Sequence, residues 1–143
     1  MTNLFDLTGK VALVTGASSG LGVQFAKALA KQGADIAIAA RRVEKLEAVK
    51  KEIEALGVKC FAVKCDVTDN QQVIDMVKAV EAEYGKIDIL VNNAGVGAAS
   101  PAVDTPAEEW NNVIKLNLSS LFFVARECAK GMIARNYGKN INI

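Results

Sequence analysis

With 143 residues, 51% of them hydrophobic and 23% charged, the chain holds enough apolar material for one domain with a real core. A formal net charge of +1 argues against nucleic acid or a membrane surface as partner, because neither is met by a broad basic field. There is no histidine, and the three cysteines, Cys60, Cys65 and Cys128, form no C-x-x-C pair; a zinc site of the usual kind is excluded, and the thiols read as free, buried groups of a reducing cytosol.

Met1 to Lys10 carries Asp6 and no long apolar run, so it does not read as a secretory signal, and no later stretch approaches the ~20 apolar residues of a spanning helix. The expectation is a soluble, cytoplasmic protein. Val11 to Val14 is a first buried strand, and Gly16 to Gly22 a loop. Leu21, Phe25, Ala28 and Leu29 recur at helical spacing, and Gly33 closes that helix. Ile36 to Ala40 is a second strand; Leu46, Val49, Ile53 and Leu56 mark a second helix stopped by Gly57. Lys59 to Lys64 reads as a third strand. Thr68 or Asp69 caps a third helix with the stripe Val73, Met76, Val77 and Val80, ended by Gly85. Ile87 to Val91 is a fourth strand. A loop with Gly95, Gly97 and Pro101 follows, then Trp110 to about Arg135 as one long helix or two abutting ones. Asn140 to Ile143 opens a fifth strand. Alternating strands and helices with apolar strands predict an α/β fold, a doubly wound parallel sheet covered on both faces with right-handed crossovers.

The segment Thr15-Gly16-Ala17-Ser18-Ser19-Gly20-Leu21-Gly22 leaves a strand and opens a helix. Backbone N–H groups and a helix N-terminus converge there, which suits a pyrophosphate. Gly16 permits the sharp turn, Gly20 a close ligand, and Gly22 a close approach of helix to sheet; Ser18 and Ser19 add hydroxyls. A tight turn without ligand is the plain alternative. A phosphate-transfer loop is disfavoured, because no Gly-Lys-Ser/Thr ends the segment.

These residues match the T-G-x-x-x-G-x-G motif, and with them the chain resembles the short-chain dehydrogenase/reductase family. Three further matches follow in order: Asp66-Val67 after the third strand, Asn92-Asn93-Ala94-Gly95 at the end of the fourth, and Asn117 within Lys115-Leu116-Asn117-Leu118. The resemblance implies a dinucleotide-binding Rossmann-type domain over residues 1–143. It implies an oxidoreductase that moves a hydride between a nicotinamide dinucleotide and a small carbonyl or alcohol substrate, working as a homo-oligomer. It also implies that Asp66 and Val67 contact adenine, that Asn93 ties the fourth strand to its neighbours, and that Asn93, Ala94 and Gly95 face the glycine loop across the cofactor crevice. Taken singly, Asp66 could merely end a strand and Asn93 merely start a turn.

Relatives that prefer NAD(H) usually carry a carboxylate at the end of the second strand, where it meets the ribose hydroxyls and repels a 2′-phosphate. Ala40 stands there, followed by Arg41 and Arg42. A guanidinium in place of a carboxylate suits a 2′-phosphate, so NADP(H) is expected over NAD(H). The competing reading makes both arginines solvated residues opening a surface helix.

The family's proton chemistry uses a serine, a tyrosine and a lysine four residues beyond the tyrosine. Tyr84 is followed at that distance by Asp88, and Tyr137 by Ile141. Only Asn117 of the catalytic set is present. In relatives its backbone carbonyl holds a water, and its helix is locally kinked. These residues alone are therefore expected to be inactive, truncated in the fifth strand. A nucleotide-binding module without turnover, or a structural piece, are the alternatives. The helix carrying Leu118, Leu121, Phe122, Phe123 and Val124 belongs to a subunit interface in relatives, so self-association or marginal stability is expected. Asn140 stands where relatives usually carry an aliphatic residue.

Overall fold

The computed structural model describes residues 3–143. Its strands are β1 (Val11–Thr15), β2 (Asp35–Ala40), β3 (Cys60–Lys64), β4 (Ile89–Asn92) and β5 (Lys139–Asn142). Its helices are α1 (Gly20–Lys31), α2 (Val43–Glu54), α3 (Asn70–Tyr84), α4 (Ala107–Ile114) and α5 (Ser120–Ala134). A 3-10 turn (Ala102–Asp104) precedes α4, and a five-residue π turn (Lys115–Ser119) joins α4 to α5. All strand pairs are parallel, in the order β3-β2-β1-β4-β5. This is the expected Rossmann-type α/β sheet, and strand order reverses between β1 and β4.

The two sheet faces are read directly from strand alternation. Ala12 and Val14 of β1, with Ile36 and Ile38 of β2, pack beneath α1 and α2. Val11 and Leu13, with Ala37 and Ala39, pack beneath α3 and α5. Every residue of β1 is therefore buried, which is why Val11–Val14 is an unbroken apolar run rather than an alternating one, with the buried Thr15 closing the strand. The three cysteines are free and buried.

The first helix departs from the expected face. The buried positions are Gly22, Val23, Ala26 and Ala30, whereas Leu21 is 62% exposed and Ala28 is exposed. The physical reason is distance: a helix that starts at a tight loop above the sheet must come close, so its innermost stripe is mostly small residues, with Phe25 and Leu29 packing half-buried at its edges and Leu21 turned outward. Leu56 is likewise exposed, because α2 ends at Glu54 and the chain turns before reaching it. Asp69, not Thr68, caps α3; its carboxylate accepts from the amides of Gln71 and Gln72 at 2.9 and 3.2 Å. The late helix begins at Ala107, just after Pro106, and is two helices joined by the π turn.

Candidate functional site

The carboxyl ends of β1, β2, β3 and β4 surround a crevice of about 300 Å³. In an open parallel sheet this end of the switch point, here between β1 and β4, is where ligands bind. Gly16, Ser18 and Ser19 form one wall, Arg41 and Arg42 the rim at the β2 end, Asp66, Val67 and Thr68 the β3 side, and Ala94, Gly95, Val96 and Leu116 the far side.

Backbone geometry shapes the central wall. Gly16 has φ +62°, and a Cβ there would lie 2.8 Å from the Ala94 Cα. The glycine thus serves both a left-handed turn and a close crossing of two chain segments. Gly22 lies behind, where a Cβ would meet the Gly16 carbonyl and approach the Asn93 amide nitrogen to 2.6 Å. Asn93 ties β4 to the loop: its Nδ2 donates to the carbonyls of Thr15 and Gly16 at 3.1 and 3.2 Å. The Thr15 hydroxyl returns the tie by accepting the amides of Asn93 and Ala94 at 3.0 and 3.1 Å. Buried carbonyls and amides that would otherwise be left unpaired are satisfied across the switch point.

The helix that rises from this loop has no internal cap. Ser19, its N-cap residue, is extended and makes no side-chain capping bond, and the first turn carries no acidic residue. Among the described residues no side chain pairs its first amides, those of Gly20 and Leu21 included, at the positive end of the helix dipole. Among the described helices α3 alone has a side-chain cap, from Asp69; α2 and α4 share the uncapped start of α1, which differs from them in rising from the Gly16 turn at the crevice. Across the crevice, Nη2 of Arg42 donates to the Ser18 hydroxyl at 3.3 Å, which brings a guanidinium onto the glycine loop. The strand before it ends in Ala40, so the end of β2 itself sets no carboxylate beside that charge. Together these groups fit a dianionic phosphate chain: donors and positive charge face the cleft, and the open space at Gly20 leaves the loop amides approachable.

On the β3 side, the Asp66 carboxylate accepts from the Thr68 amide and hydroxyl at 3.0 and 2.7 Å. Those bonds, with the Arg41 charge nearby, hold its carboxyl below the ordinary aspartate range. Val67 is buried against the cleft. Burial pushes the Cys65 thiol up to about 12, helped by Asp66 and Asp69, so it stays protonated and is no nucleophile.

Asn117 sits in the π turn, which supplies the local irregularity the resemblance implies for its helix. Its side chain clasps Val96, accepting that residue's amide at 2.9 Å and donating to its carbonyl at 2.7 Å. It borders the crevice without lining it. Residues that sequence reasoning left out include Thr15 as the hydrogen-bond hub, Thr68, Val96 and Leu116. Thr15 and Leu116 lie inside quoted motifs, and Thr68 follows Asp66 in the Asp-x-Thr pattern of an Asx turn. For Val96 no residue-type signal exists. Among the described residues there is no cluster of three or more Cys, Asp or Glu side chains that could hold a metal, and no helix is long and apolar enough to cross a membrane.

A family model described as short chain dehydrogenase matches residues 10–143. The chain belongs to that family. Gluconate 5-dehydrogenase of Gluconobacter oxydans (strain 621H) is 42% identical to this chain over 141 residues, covering 99% of this chain and 55% of the relative. The crystal structure of NAD+-bound xylitol dehydrogenase superposes with a TM-score of 0.92 at 38% identity, over 98% of this chain and 54% of that one. A metagenomic short-chain oxidoreductase in complex with NADP gives 0.89 at 40% identity, over 95% and 62%. The chain thus spans about half the length of the curated relatives it matches.

Proposed function

We propose that residues 1–143 form a dinucleotide-binding unit whose crevice takes a nicotinamide dinucleotide, NADP(H) in preference to NAD(H). The whole protein, on this reading, is an oxidoreductase of a carbonyl/alcohol pair. The observation that carries the proposal is the uncapped N-terminus of α1 above the Gly16 turn, with Arg42 reaching Ser18. The amides of Ser19, Gly20 and Leu21 take the pyrophosphate. Arg41 and Arg42 flank the ribose at the end of β2, where a 2′-phosphate would be met by charge-assisted bonds. Asp66 and Val67 face the adenine. Gly95 and Val96 wall the opposite half. When bound, the nicotinamide ring supplies or accepts the hydride.

The chain's own part in the chemistry is binding and orientation. Asn117 stands for the proton-relay site, and no Tyr-x-x-x-Lys lies within these residues. They are therefore expected to bind cofactor without turnover. Relatives named for gluconate and xylitol support a polyhydroxylated substrate. A cytoplasmic setting is supported by three free, buried thiols. A homo-oligomer is supported by Trp110 of α4, Leu118 of the π turn and Phe122 of α5, all exposed.

Calorimetric titration with NADPH and NADH tests the cofactor reading. NADPH is expected to bind about tenfold or more tightly, and Arg42→Ala to erase most of that margin, because a charged hydrogen bond contributes about 1.5–3 kcal/mol. Equal or tighter NADH binding would overturn the preference; no heat with either would overturn the site.

A further inference from the structure

The loop between β4 and the 3-10 turn is fastened at two points by the helices that follow it. Near its start, Asn117 holds both backbone groups of Val96. Near its end, the carboxylate of Glu109 on α4 receives three bonds. Its Oε1 accepts the amides of Ala99 and Ser100 at 2.6 and 3.0 Å, and its Oε2 accepts the Ser100 hydroxyl at 2.6 Å. Only Gly97 and Ala98 span the gap, and a Cβ on Gly97 would meet nothing within 4 Å. From Gly95 to Ala99 the loop is exposed.

That loop matters because of where it runs. Gly95 and Val96 line the crevice on the side away from Arg41 and Asp66, and Glu109 lines none of it. In a doubly wound sheet the dinucleotide crosses the switch point with its diphosphate at the glycine loop. Its adenosine half lies toward β2 and β3, so its other half lies toward this loop.

We propose that Glu109 is a positioning residue for the second half of the crevice: its carboxylate pins Ala99 and Ser100 and so holds in place the loop whose Gly95 and Val96 form the wall against which that nucleotide rests. The proposal rests on the dinucleotide reading of the crevice. A carboxylate fits the task because two oxygens receive three donors at once, and bonds to a charged acceptor are the stronger kind. The same three bonds hold the Glu109 carboxyl below the ordinary glutamate range.

The test uses the 143-residue chain and two probes. Adenosine 2′,5′-bisphosphate reaches the adenosine half only; NADPH reaches both. In Glu109→Ala, amide exchange at Val96, Ala99 and Ser100 is expected to rise about tenfold or more while the glycine-loop amides stay unchanged. NADPH should weaken by about threefold or more and the bisphosphate stay constant, since only the far half loses a pre-ordered wall. Glu109→Gln keeps the side-chain volume and should fall between; its exchange pattern decides if Glu109→Ala does not fold. Unchanged loop exchange, or equal weakening of both probes, overturns the proposal. A wild-type chain that binds neither probe sinks the dinucleotide reading instead. The pin is then judged on exchange alone, standing if the loop amides open in the variant and falling if they do not.

Discussion

At the scale of single residues, the site is built from two glycines that look alike in backbone angle and differ in surroundings. Gly16 and Gly20 both take positive φ, +62° and +63°. A methyl group on Gly20 meets open space, whereas one on Gly16 meets the Ala94 backbone. Gly20→Ala should therefore cost only the left-handed penalty, about 1–2 kcal/mol. Gly16→Ala adds a steric clash with main chain that cannot rotate away, for a total of about 2–4 kcal/mol. Urea unfolding of the two variants separates the effects. A Gly16→Ala chain as stable as Gly20→Ala would mean that the crossing of the β1 and β4 ends is not close-packed. Nucleotide affinity should fall in both, because Gly20 is where a diphosphate would approach the amides.

At the scale of elements, the start of α3 depends on ionised carboxylates. Asp69 caps the helix, and the Asp66 carboxylate organises the turn before it. Both carboxyls are held below the ordinary aspartate value of 3.8 by amide bonds. The sign follows from linkage: a carboxyl whose folded pKa is depressed contributes stability that is fully present above its unfolded value and is lost as pH falls through the folded one. Thermal midpoints should thus hold near neutrality and drop below about pH 4, and Asp69→Asn should drop less steeply because its cap does not titrate. A midpoint as steeply pH-dependent in Asp69→Asn as in the parent would remove Asp69 from the account. The elements also show what a sequence can reveal. Strands β1, β2 and β4 are legible because burial on both faces leaves only apolar residues, and α3 because its stripe and cap agree. The inner face of α1 is half legible: Phe25 and Leu29 pack partly buried against the core, while Leu21 and Ala28 face out and proximity to the sheet selects Gly22, Ala26 and Ala30. The π turn has no periodic signature, and only the resemblance pointed to Asn117. Glu109 was invisible for a different reason: its partners lie nine and ten residues upstream in a loop with no pattern.

At the scale of the whole molecule, the strand order is what converts scattered motifs into one crevice. Thr15 and Asn93 are 78 positions apart in the chain, yet parallel pairing of β1 with β4 puts them in hydrogen-bond contact. The sheet has two edge strands, β3 and β5, and β5 is the fully exposed one. Of the strands described, β5 pairs only with β4, its residues are all exposed, and Ile141 and Ile143 stand uncovered beside it. On the helical side Phe122 is 57% exposed, Leu118 61% and Ile133 77%. An unpaired strand edge and a row of exposed apolar side chains both favour association. Sedimentation velocity from low to high micromolar concentration is expected to show the 143-residue chain moving to larger species. Two substitutions identify the surface responsible: Ile141→Lys places a charge at the strand edge, and Phe122→Glu places one on the helix face. If Phe122→Glu alone restores the monomer, α4 and α5 form the contact; if Ile141→Lys alone does, the sheet edge is extended by a second copy. A parent chain that stays monomeric throughout would show that neither surface is sticky enough to matter, and that its exposed apolar groups are tolerated singly, as such groups are on most proteins.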